Sequence, residues 1–555
     1  MLRRLFKWIT CFDCLMAGKK ATPPSSSFLH LFECVPVWYW FLSFRLINLF
    51  LVKTWFVPDE YFQSVEVAYN QVYGIGHLSW EWQPEHALRS YLHPALFMIF
   101  YWPLKILHLD SNLLISLIPS LIHVVLFTIS DVFMLRLLRR LFVDSRDNQT
   151  VRFSLFLYMS NWFVIFCAPR TLSNSLELVL TLTGLHFYPI EPVRLIIKKN
   201  SGSPFAGYAI CAALACLIRP TSALIWGPLA LWHLWRSKNW TSVLFGHLLP
   251  PAFVIALFTA ILDVLMYRRL TIPAWNFIRF NVLSSGSANF GVHPWYWFFT
   301  EGLPPVFTLA VFPLITAAVD SLKCLRSQRQ TRQQNQLNSN LLFFVATFYV
   351  VFHSFIAHKE HRFLLPVIPL MIPSIASSLC RMGSRGHWLF WATCILQIPL
   401  AIYFGMYHQK APGELINYLN KELNANNRTN DPPVLISQLM PCYSMPQYAA
   451  IHPHGLEAAR FRMLDCTPQF DKTQSTNKTR DESDLFHFDP IHFVRLHWKE
   501  LGQSEFIIAY ERPFKQMESF LRSHGFTLTE RFYNTRFPVS ERQDSWVVVA
   551  TKHTT

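Results

Sequence analysis

Two adjacent carboxylates, Asp59 and Glu60, stand in the stretch FVPDEYFQ just after the first long apolar run of a 555-residue chain. Pro58 disfavours a helical Val57, so the acids are carried clear of that run, to the rim of a membrane rather than into it. A carboxylate so placed can take a proton from an incoming hydroxyl while protein walls exclude bulk water. A second cluster, His358-Lys359-Glu360-His361-Arg362, follows another apolar run. Its cations could clasp a lipid phosphate, lysine as a point charge and arginine as a two-pronged fork, with Glu360 holding them in place. The plainer alternative is a snorkelling helix end in contact with head groups. Arg170 and Arg219 are lone arginines at the ends of further apolar runs. Asn174 and Glu177, within about one helical turn, are the expected orienting partners of Arg170.

The elements that must position these groups are membrane helices. The chain is 52% hydrophobic and 16% aromatic with only 15% charged residues, and apolar runs of spanning length recur from about Val35 to Met406. Its net charge of +15 lies in short basic clusters between those runs. That is what the positive-inside rule expects of cytoplasmic loops, and no basic-aromatic groove points to nucleic acid. The expectation is therefore an α-helical polytopic protein of about eleven spans. Residues 1–34 form a cytoplasmic basic leader and 35–407 the membrane domain. Loops 53–112 and 267–303 are lumenal and loop 321–340 is a flexible cytoplasmic linker. The tryptophans of the first loop place part of it along the membrane surface. The segment Pro94–Leu109 dips without crossing. On this topology the HKEHR cluster, Arg170 and Arg219 are all lumenal, where positive charge is otherwise avoided, which favours a functional reading. Asp131 and Asp263 are intramembrane acids expected to pair with Arg136 and Arg268.

Residues 408–555 read as a small lumenal α/β domain, with alternating strands near Val434–Leu439, Phe506–Ala509 and Trp546–Ala550. Asn427 and Asn477 lie in sequons suited to lumenal glycosylation. The 11 cysteines are not read as a metal site, since most lie in apolar runs where a thiol acts as a small hydrophobe. Cys442 and Cys466 stand in the polar tail, where pairing requires an oxidising lumen. The long lumenal loops hold no glycine-rich phosphate loop and no DxD pattern. A lipid-carried donor therefore fits better than a nucleotide sugar, and neither a metal nor another cofactor is expected.

Seven motifs, in order, carry a resemblance: FVPDEYFQSVEVAY, GIGHLSWEWQPEHALRSYLHP, APRTLSNSLE, LIRPTSALIW, FNVLSSGSANFGVHPWYWF, HKEHRFLLPVIP and MPCYSMPQY. Together they resemble glycosyltransferase family 22, and within it the branch that adds the third mannose of glycosylphosphatidylinositol (GPI) anchors. The resemblance implies a GT-C enzyme of the endoplasmic reticulum membrane with a lumenal site. It would transfer an α1,2-mannose from dolichyl-phosphate-mannose to the dimannosyl GPI precursor, with inversion and without metal. It implies a catalytic role for Asp59 with Glu60 beside it, and donor-phosphate contacts from His358, Lys359, Arg362 and Arg170. Supporting roles fall to Glu360, His361, Arg219, His293 and Arg89. His361 departs from many relatives, where a second acid stands. The alternatives are another mannosyltransferase of the family, acting on an N-glycan precursor or a later GPI mannose, and, further off, a lipid transporter.

Overall fold

The computed structural model describes residues 36–142, 148–190, 205–284, 286–326, 334–425, 433–452, 459–467 and 481–552. The basic leader 1–34 and the sequon residues Asn427 and Asn477 lie outside the described residues.

Apolar composition makes helices of nearly the whole first two thirds of the chain, because a backbone in lipid must satisfy its own hydrogen bonds. The described helices long and apolar enough to cross a bilayer are Asn112–Leu141, Trp240–Tyr267, Phe298–Lys323, His361–Arg381 and Gly383–Leu423. Val37–Leu51, Phe205–Ile218 and Ser339–Ser354 are shorter apolar helices. The expected eleven crossings are not recovered as such: a span needs about 20 residues, and several of the counted helices are shorter than that. Leu92–Ile106 forms a 15-residue helix where a dipping segment is expected. The expected linker 321–340 is shortened from both sides, since helices run through Arg326 and start again at Gln334.

Polar residues inside the bundle are paired across it. Arg45 donates to Asp131 at 2.7 and 2.8 Å, both side chains fully buried. Asp263 accepts from the Ser90 hydroxyl at 3.1 Å and the Tyr91 N–H at 2.8 Å. Both arrangements correct the expected partners, Arg136 and Arg268. A buried charge takes the donor that packing brings to it, which need not be the nearest along the chain.

The layer that carries the two adjacent acids begins at Asp59. A widened π turn, Tyr61–Val65, runs into the helix Glu66–Tyr73, which ends at Gly74 with φ 83°. Only glycine takes that left-handed turn without a steric penalty. The tryptophans of the next segment are packed inside the protein. Trp80 and Trp82 are 5% and 2% exposed, and the Trp82 indole N–H donates to the Phe62 carbonyl at 3.0 Å.

The C-terminal domain holds a five-stranded sheet in the order β2-β1-β3-β5-β4: β1 Val434–Leu439, β2 Ala459–Met463, β3 Phe506–Tyr510, β4 Phe526–Tyr533 and β5 Trp546–Lys552. β1 pairs in parallel with β2 and β3, and β5 runs antiparallel to β3 and β4. Alternation sorts the core: Ile436, Ile508 and Val549 pack with helix Ala411–Ala425, whereas Ile507, Ala509 and Val548 pack with Glu511–Ser523. Cys442 and Cys466 form a disulfide.

Candidate active site

Asp59 and Glu60 open a helical segment, and their side chains find different arginines. Glu60 is buried and accepts from Arg170 at 2.6 Å. Arg170 is 2% exposed and also donates to Thr54 Oγ1 at 3.1 Å and the Phe166 carbonyl at 3.1 Å. Burial pushes the Glu60 carboxyl up, and the Arg170 charge opposes that. Arg170 reaches this place because Asn161 breaks the preceding helix and caps the next one, Trp162–Cys167, by accepting from the Val164 N–H at 3.0 Å. The chain then turns through Pro169, and Thr171 donates its hydroxyl to the Glu60 carbonyl. Glu60 is thus held by both side chain and backbone.

Asp59 pairs with Arg362, whose remaining nitrogens grip Glu360 at 2.7 and 2.5 Å. His358 completes the group at 2.8 Å from Glu360. Burial works to raise the Glu360 carboxyl, and Arg362 and His358 together outweigh it, holding it below the usual carboxylate range. Arg362 therefore bridges a carboxylate from each end of the membrane domain. Lys359 is 3% exposed, and its ammonium donates to the His293 and Ile356 carbonyls at 2.9 and 2.6 Å. In this structure it ties the segment around His293 to the HKEHR turn, with two backbone carbonyls on its ammonium. His293 is held there by its backbone: its N–H donates to the Ala357 carbonyl. His361 packs against the Glu301 carbonyl at 3.0 Å and the Trp297 ring.

Arg219 pairs with Glu177 at 3.0 Å, with Ser173 and Ser222 bonded to the two members. That corrects the expectation that Glu177 orients Arg170. The guanidinium groups of Arg219 and Arg362 lie 5.5 and 5.6 Å from the centre of the Phe363 ring, so the pair backs the HKEHR turn through an aromatic spacer. Arg89 lies farther out. It grips Glu81 at 2.9 Å, and Glu81 accepts from Gln63 on the helical segment that starts at Asp59. The sequence gives no signal for Gln63 and Phe363, whose types carry none until the loops are folded together. Among the described residues no group of three His, Cys, Asp or Glu side chains could hold a metal ion.

The sequence model of the Alg9-like mannosyltransferase family matches residues 36–452, which include all of these groups. The chain belongs to that family. It is similar to the mannosyltransferase APTG1 of Arabidopsis thaliana, 32% identical over 92% of this chain and 90% of that one. It is also similar to GPI alpha-1,2-mannosyltransferase 3 of Bos taurus (31% identical, 90% and 86% covered) and of Homo sapiens (29%, 90% and 83%). Among solved structures, ArnT from Cupriavidus metallidurans bound to undecaprenyl phosphate superposes with a TM-score of 0.52 at 13% identity, covering 92% of this chain and 97% of that one. The fold is the GT-C architecture that the motifs imply. Within the family frame, Asp59, Glu360 and Arg362 form one connected group, with Glu60–Arg170 joined to it at the adjacent residue and Glu177–Arg219 through the Phe363 ring.

Proposed function

We propose that the chain is a GPI mannosyltransferase that moves mannose from dolichyl-phosphate-mannose to a hydroxyl of the dimannosyl GPI precursor. The new linkage is α1,2 and the reaction runs on the lumenal face of the endoplasmic reticulum membrane. The observation that carries the reading is the Arg362 bridge, which sets a carboxylate able to accept a hydroxyl proton against a cation able to steady a phosphate. The names of the cow and human relatives supply the acceptor and linkage, and the ArnT structure supplies a polyprenyl phosphate bound to the same fold. The Cys442–Cys466 disulfide fits an oxidising lumen.

The mechanism is one displacement. An arriving donor phosphate competes with Asp59 for Arg362 and frees the carboxylate. Asp59 then takes the proton of the acceptor hydroxyl as its oxygen attacks the anomeric carbon. The bond from that carbon to the phosphate oxygen breaks, and dolichyl phosphate leaves as an anion that Arg362 and His358 stabilise. A β-linked donor thereby gives an α-linked product. Glu60, held by Arg170, keeps Asp59 in place and has no proton to move. Donor and acceptor both enter from the membrane, and Arg362 and His358 offset the charge that develops on the departing phosphate.

The test is to supply membranes containing the chain with labelled dolichyl-phosphate-mannose and the dimannosyl precursor. The expected product is a trimannosyl lipid whose label an α1,2-mannosidase releases. A labelled lipid resistant to that enzyme, or label only in N-glycan precursors, contradicts the assignment.

A further inference from the structure

The helical segment that begins at Asp59 is gripped along one face by a segment of the lumenal domain. The Tyr443 ring packs on Phe62 and His77, with centres 4.7 and 5.5 Å away. One turn on, the fully buried Glu66 carboxylate accepts from the Tyr448 and Ala449 N–H groups at 3.0 and 3.1 Å. The next turn brings the Tyr69 hydroxyl to His452 Nδ1 at 2.8 Å, and His452 packs on the Tyr73 ring at 5.1 Å. The contacts fall at positions 62, 66, 69 and 73, which is one face of a helix. The segment is anchored at its start by the disulfide from Cys442 to Cys466.

Two features separate this from ordinary packing. Tyr443 and His452, the outermost residues of the grip, have φ of 62° and 34°. Non-glycine residues hold that conformation at an energetic penalty, and such residues concentrate where surrounding structure over-determines a functional geometry. Among the described residues Glu66 is also a carboxylate with no cation among its hydrogen-bond partners: burial pushes it up to about 7, opposed by hydrogen bonds from the backbone of Ala449, Tyr448 and His77. A glutamine or an apolar residue would be easier to bury, yet neither accepts from two adjacent N–H groups with both oxygens.

We propose that the segment Cys442–His452 is a clamp that sets the position of Asp59 and that Glu66 is its positioning residue. Glu66 lies about two helical turns from Asp59 and touches neither substrate. It acts by fixing the rod that carries the base, through the widened turn Tyr61–Val65 between them. Such a turn inside a helix is a common mark of a functional site. The inference rests on the function proposed above and adds to it a catalytic task for the lumenal domain.

The experiment uses the full chain in nanodiscs with labelled donor and dimannosyl acceptor. Because a misplacement near 1 Å can cost about 100-fold in rate, Glu66→Gln is expected to lower kcat by about tenfold or more with donor KM nearly unchanged. Tyr69→Phe, which removes one hydroxyl and keeps the ring, is expected to lower kcat by about threefold, again with donor KM unchanged. Wild-type kcat in both variants, or a rise in donor KM at constant kcat, overturns the clamp. Should Glu66→Gln not fold, Tyr69→Phe decides alone: an unchanged kcat overturns the proposal and a lowered one supports it. A wild type that transfers no mannose sinks the function and the clamp together, whereas a working wild type with insensitive variants sinks only the clamp.

Discussion

Asp59 and Glu60 are neighbours of nearly the same chemistry, and each faces an arginine, yet their surroundings differ. Glu60 and Arg170 line a cavity with Thr54 and Tyr61 but are tied to Thr54, Phe166 and Thr171 and matched one to one. Asp59 meets an arginine that a second carboxylate already holds, in a group whose side chains are partly open. A closed pair with satisfied partners is a fixed part of the scaffold. An open, shared one can exchange partners when a substrate arrives. Burial and bond count, more than residue type, separate the group that reacts from the group that holds it.

The comparison breaks first at Asp59. Asp59→Asn is expected to lower turnover by on the order of 10² to 10⁴, the usual range for a lost general base. Glu60→Gln should retain more activity than that in the same assay, and the reverse ranking would exchange the two roles. Next in size is Arg362→Ala, expected to reduce donor use by about 10² or more, with Arg362→Lys losing clearly less. Equal defects would remove the fork from the mechanism.

The closed pair predicts a stability effect. Removing one partner of a buried pair costs about 3–5 kcal/mol, whereas removing both is far milder. Arg170→Gln or Glu60→Gln alone should therefore lower the melting temperature more than the two changes together, which differential scanning fluorimetry would report. If the effects simply add, the pair is not the strut described here. The smallest expected effect is at His361, whose ring faces Glu301 and Trp297. His361→Ala should leave transfer within about threefold of wild type, as for other changes away from the reacting groups.

The charged motifs were legible because charge at a membrane is costly and the chain carries it in few places. Asp59, the HKEHR turn, Arg170 and Arg219 could be picked out before any contact was known, as could the strands at Val434, Phe506 and Trp546. Their pairing was not legible. Arg170 has Asn174 and Glu177 close by in sequence, yet it pairs with Glu60, 110 residues away. Glu177 goes to Arg219, and Asp131 goes to Arg45 across 86 residues. Helix packing decides such partners, and sequence adjacency does not report it. The contacts of Lys359 were hidden for a related reason. Its type suggests an open phosphate contact, but two backbone carbonyls hold its ammonium. The tryptophans of the first loop read as interfacial anchors by composition and became the buried floor beneath the Asp59 segment. Strands β2 and β4 were missed, since β4 exposes most of its residues and lacks a clean alternation.

The central claim is a division of labour, with Asp59 acting on the acceptor and Arg362 on the donor. Equilibrium binding of labelled dolichyl-phosphate-mannose to purified Asp59→Asn and Arg362→Ala tests it directly. The account predicts that Asp59→Asn binds donor at least as tightly as wild type and that Arg362→Ala loses most of that affinity. Donor binding lost in Asp59→Asn and kept in Arg362→Ala would contradict it.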